Sequence, residues 1–111
     1  MNVEELKAKI KSIFGDQIVF NKEFDDSASS IKNIDETLLS WFELVKERKI
    51  KPINKSVLGN KIIFIKRIGS SNRCIVIKIE NGKFREVHLG DHNYYNFLTR
   101  ELGIKSSSNT Y

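Results

Sequence analysis

The chain has 111 residues, 40% hydrophobic and 30% charged, which is enough for one compact domain and too short for two. No apolar run approaches the roughly 18 to 20 residues of a membrane span, and no basic-then-apolar signal pattern opens the chain, so a soluble, cytoplasmic protein is expected. The formal charge is +5, but it is unevenly spread: residues 1–45 carry 5 basic and 9 acidic side chains, residues 46–111 carry 14 and 5, and Glu47 is the single acid among ten bases between Lys46 and Lys78. Such a stretch suits either a polyanion partner, nucleic acid first, or a merely solvated surface. Cys74 stands alone, which excludes an intrachain disulfide and a multi-cysteine zinc site.

Val3, Leu6, Ile10, Ile13 and Phe14 recur at helical spacing, with Glu4 and Glu5 early, Lys9 and Lys11 later and Gly15 as a stop, so a helix is predicted over 3–14. Gln17 to Phe20 reads as a short strand. Asp25 and Asp26 suit the cap of a short helix through Ile31, and Asp35 that of a stronger one with Leu38, Leu39, Phe42 and Val45 on one face. Ile50 to Asn60 reads as a connector containing Pro52 and ending in the turn dipeptide Gly59-Asn60. Three strands follow as an antiparallel meander, Lys61 to Ile68, Arg73 to Glu80 and about Lys83 to Leu89, the last two joined at Asn81-Gly82, which favours a type I′ hairpin. A final helix is expected from about residues 91–93 to Leu102, stopped by Gly103, and residues 106–111 read as a disordered polar tail.

If Gly69 to Asn72 is a four-residue loop, Lys66 pairs with Ile75, and one sheet face carries Ile62, Phe64, Lys66, Arg73, Ile75, Ile77, Phe84, Glu86 and His88. The other face then carries Ile63, Ile65, Arg67, Cys74, Val76, Lys78, Arg85, Val87 and Leu89. Both faces are largely apolar and need cover. The acidic-half helices are expected on the second and the C-terminal helix, through Phe97 and Leu98, on the first, leaving Lys66, Arg73 and His88 open.

Cleavage of RNA without a metal requires a base for the 2′-hydroxyl, an acid for the leaving 5′ oxygen and cations for the phosphorane. Lys66, Arg73, His88 and His92 are residue types that do these jobs, and Tyr94 and Tyr95 offer rings for an unpaired base. The bland alternatives are a surface arginine, packed tyrosines, a histidine beside a helix cap and a satisfied sheet histidine. Cys74 falls on the helix-covered face as an inert thiol. No GxxxxGK loop or nucleophile elbow is present, two histidines with one cysteine form no metal-ligand spacing, and no cofactor is expected.

The order of "IVFNKEF", two helices, the basic connector "KPINKSVLGNK" and "IKRIGSSNRCIVIKIENGKFREVHLGDHNYYN" resembles the RelE/ParE superfamily of type II toxin-antitoxin toxins. The ending "LGDHNYYN" is similar to the Gly-x-His-x-x-Tyr-Asp ending of HigB-like members. The resemblance covers roughly Gln17 to Leu102. It implies an α+β fold, a small antiparallel sheet of about four strands with two or three helices on one face and a C-terminal helix, making residues 1–105 one toxin domain with an added N-terminal helix. It also implies a metal-independent mRNA endoribonuclease, acting on mRNA often in the ribosomal A site and silenced by a cognate antitoxin.

By position the resemblance places Lys66 as base or charge balance, Arg73 on the scissile phosphate, His92 in a catalytic place and Tyr95 against a base. Lys61, Arg67, His88 and Tyr94 are assigned to RNA binding. Phe64 stands where RelE proper has a second lysine, and Asn72 replaces the usual aromatic before the arginine, which thins the cationic site. A catalytically inactive or ParE-like binding module of the same fold is the alternative, and a generic basic RNA-binding domain a further one.

Overall fold

The computed structural model describes residues 2–31, 33–50, 52, 54–55, 61–79 and 82–103. The fold is α+β, with element order α1 (Val3–Phe14), β1 (Val19–Phe20), α2 (Phe24–Ser30), α3 (Ile34–Lys46), β2 (Asn54–Lys55), β3 (Lys61–Ile68), β4 (Asn72–Ile79), β5 (Phe84–Asp91) and α4 (His92–Glu101). The Gly59-Asn60 turn, Asn81 of the hairpin turn and the polar tail lie outside the described residues.

Helix α1 forms as its charge order dictates. The Asn2 side chain accepts a hydrogen bond from Glu5 N at 2.8 Å, and Leu6, Ile10 and Phe14 are buried. It ends where Gly15 takes φ +115° and donates to Lys11 O. A Cβ there would lie 2.2 Å from Gln17 Oε1, and that amide bridges Phe14 O and Phe84 O, tying the helix end to β5. The two expected aspartate caps are not made. Glu23 precedes α2 without a side-chain cap bond, and Asn33 precedes α3 in the left-handed region at φ +53°. Asp25 instead pairs with Lys7 at 2.5 Å, and the Lys7 ammonium lies over the Phe20 and Phe24 rings, clamping α1 to α2. In α3 the buried side chains are Ile34, Leu38, Trp41, Phe42 and Val45, while Leu39 only borders the core.

The sheet is five-stranded in the order β1-β5-β4-β3-β2 among the described residues. It is mixed rather than purely antiparallel. β1 runs parallel to β5, Val19 opposite Glu86 and Phe20 opposite Val87, because the chain crosses over through α2 and α3 before the meander begins. Asn21 prolongs that pairing by accepting from Leu89 N and donating to Leu89 O, both at 2.9 Å. The connector, expected to be irregular, contributes β2, paired with Ile62 and Ile63.

Two registers differ from the sequence expectation. The β3–β4 connection has three residues, with Ile68 opposite Asn72 and Gly69 at φ +62°, so Lys66 pairs with Cys74 and Arg67 with Arg73. This exchanges the two faces of β3. In the β4–β5 pair, Ile77 opposes Glu86 but Lys78 opposes Phe84, so Arg85 is a bulge residue and Phe84 turns toward α1, its ring 4.4 Å from that of Phe14.

The result is two cores on the two sides of the sheet. Phe64, Ile68, Cys74, Val76, Val87 and Leu89 pack under α1, α2 and α3. On the opposite side, Ile63, Ile65, Ile75 and Ile77 pack under Tyr95, Leu98 and Leu102 of the C-terminal segment. Leu98 covers the sheet as expected. Phe97 does not and is 49% exposed.

Candidate functional site

The corrected register decides which charged residues meet. Arg67 and Arg73 are directly paired neighbours on the α4 side, Arg67 exposed and Arg73 buried. Lys66 shares the opposite, helix-covered side with Cys74 and does not join Arg73, contrary to the sequence expectation. Burial pushes the Cys74 thiol far up, with a smaller opposing effect of the Lys66 charge. The thiol is therefore inert, as expected.

Arg73 is the unusual residue of the molecule. Its side chain is only 5% exposed, its Nη1 donates to Asn72 O at 3.0 Å and its guanidinium lies over the Tyr95 ring at 5.7 Å. Its Nε is buried without a hydrogen-bond partner, and among the described residues it makes no ion pair. A buried cation without an anion is unfavourable, and a second arginine directly opposite adds repulsion. An anion on these two guanidinium groups removes both penalties.

Asp91 accepts from Tyr94 N at 2.9 Å and starts α4 next to this pair. The exposed His92 ring stacks on Tyr95, with centroids 6.2 Å apart and planes at 28°. Arg73 and His92 thus contact one ring. Tyr95 itself is 5% exposed, so it supports these two groups and does not receive a base.

A second polar chain crosses the same side of the sheet. Tyr94 is half-buried, and its hydroxyl lies 2.7 Å from His88 Nδ1, while His88 Nε2 lies 2.9 Å from Glu86 Oε1 and Lys61 Nζ 3.7 Å from Glu86 Oε2. His88 is 8% exposed and has both ring nitrogens occupied, so it is not a surface contact for RNA as expected from the sequence. Lys61 is likewise tied to Glu86. The His88 hydrogen bond, aided by the Lys61 and Arg85 charges, holds the Glu86 carboxyl below the usual carboxylate range against the opposing effect of burial. Burial, and after it the Glu23 charge, pushes the Tyr94 phenol up.

Tyr94 reaches His88 because its ring lies on the backbone of Gly90, where a Cβ would sit 2.7 Å from Tyr94 Cδ2. Gly90 is the strand partner of Arg73, so both polar groups converge on one end of the sheet. Beside them a recess of about 350 Å³ is bounded by Asn72, Gly90, Asp91 and Tyr94, with Glu23 and Asp26 across it. Glu86 was not singled out by sequence reasoning, although its i, i+2 spacing from His88 on a strand puts both on one face. For Gly90 no signal existed beyond the glycine itself.

No protein-family model, curated protein or solved structure matches this chain.

Proposed function

We propose that this protein is a RelE/HigB-like toxin, an endoribonuclease that cleaves mRNA by 2′-hydroxyl attack and so inhibits translation, and that a cognate antitoxin silences it. The observation that carries the reading is Arg73, a buried guanidinium with an unpartnered Nε and no acid beside it among the described residues. A phosphodiester is the ligand such a group lacks, and Arg67 supplies the second cation for the phosphorane. His92, exposed on the far side of the Tyr95 contact, is the proton donor for the 5′ oxygen.

Lys66, on the opposite side of the sheet, has no part in this chemistry. Arg73→Ala is therefore expected to lower cleavage of single-stranded RNA, assayed with and without ribosomes, by at least about 100-fold, whereas Lys66→Ala cleaves within about threefold of the parent. Equal losses in the two variants would refute this placement. Among the described residues no helix is long and apolar enough to cross a membrane.

One observation favours a second reading. The α4 side of the sheet carries Ile63, Ile65, Ile75 and Ile77 beneath α4, so the cationic set is short for a nuclease. That suits a relative that binds a protein or nucleic acid without cleaving. A wild-type protein that binds RNA with a steep salt dependence and releases no product would favour it.

A further inference from the structure

The chain from Tyr94 through His88 to Glu86 is more elaborate than the docking of a helix requires. Glu86 is ionised at neutral pH and can only accept, so His88 carries its proton on Nε2 and donates it to Glu86. Nδ1 is then bare, and the Tyr94 hydroxyl donates to it at 2.7 Å. With that proton committed to His88, the Tyr94 oxygen offers only lone pairs to a ligand. It does so from the rim of the recess shared with Asn72 and Gly90, the neighbour and the strand partner of Arg73.

We propose that Tyr94, His88 and Glu86 form a proton relay in which Tyr94 Oη is the general base of the site. The inference rests on the ribonuclease reading above. The 2′-hydroxyl proton passes to Tyr94 Oη as Tyr94's own proton moves to His88 Nδ1, and the imidazolium that forms is balanced by Glu86. The 2′ oxygen bonds to phosphorus, the bond from phosphorus to the 5′ oxygen breaks, and the 5′ oxygen takes a proton from His92 or water. The product is a 2′,3′-cyclic phosphate, and His88 then returns the proton to Tyr94 while Tyr94 releases its own to solvent.

Lys61 sits behind Glu86, and Glu23 and Asp91 face Tyr94 across the recess; with Arg85 beside Glu86, these are the charges that set the relay's pH response. Removing the Glu86 charge makes the imidazolium harder to form, so the acid limb of the pH–rate profile moves to lower pH.

The test is single-turnover cleavage of a single-stranded RNA, with affinity measured on an all-2′-deoxy version of the same oligonucleotide. Tyr94→Phe keeps its ring on Gly90 and is expected to cleave about 100-fold more slowly or worse, with affinity within about twofold of the parent. Glu86→Gln is expected to shift the acid limb downward. Parental cleavage by Tyr94→Phe, or an unmoved limb in Glu86→Gln, overturns the relay and leaves the nuclease reading standing. Absence of cleavage by the wild-type protein overturns both.

Discussion

At the scale of single residues, the molecule treats its two groups of polar side chains differently. The Lys61, Glu86, His88 and Tyr94 chain is internally satisfied, each member within 3.7 Å of the next. Arg73 is not, and leaving its buried Nε unmet costs about 1–3 kcal/mol by the usual penalty for an orphaned donor. Folding alone gives no reason to keep that arrangement, whereas an anionic ligand does. Glu86 makes the contrast measurable. Because its folded pKa lies below the ordinary carboxylate value, its contribution is fully present above that value and is lost as pH falls through the folded pKa. Glu86→Gln should be less stable than the parent by about 1 kcal/mol at pH 6, and urea denaturation near pH 3 should show the difference shrinking toward zero.

At the scale of elements, helices α1 and α4 were legible because their caps, charge order and glycine stops lie within one turn of the chain. Asn2 and Gly15 bound the first, and Asp91 and Gly103 frame the second. The meander was legible too, and its register was not. In "KIIFIKRI" both alternating sets are apolar, so hydrophobic pattern cannot choose between faces, and the choice falls to whether the Gly69 connection holds three residues or four. That one residue moved Lys66 away from Arg73 and brought Arg67 to it. The Arg85 bulge similarly moved Phe84, and no local signal marks it. The parallel pairing of β1 was beyond reach because its two residues contact β5 only after α2 and α3 have formed. On α4, adjacent residues part company. Leu98→Ala is expected to cost about 2–5 kcal/mol in chemical denaturation by emptying a place above Ile63 and Ile75, while Phe97→Ala stays within about 0.5 kcal/mol. Comparable losses at both positions would contradict the observed rotation of the helix.

At the scale of the whole molecule, the charge imbalance between the two parts of the chain acquires a spatial meaning. The acidic first 45 residues build most of the three-helix layer on the Cys74 side of the sheet. The basic remainder builds the meander and α4, and presents Arg67, Arg73 and His92 together at one end of the other side. The resemblance to RelE/HigB toxins and the unneutralised Arg73 lead to the same chemistry, an RNA phosphodiester held at that end. Primer extension on cellular mRNA after induction addresses this directly. New 5′ ends should appear within coding regions when the wild-type protein is induced and should vanish for Arg73→Ala at equal protein level. Wild-type induction that yields no new 5′ ends, or Arg73→Ala that yields the parental pattern, would contradict an RNA-cleaving site built on Arg73.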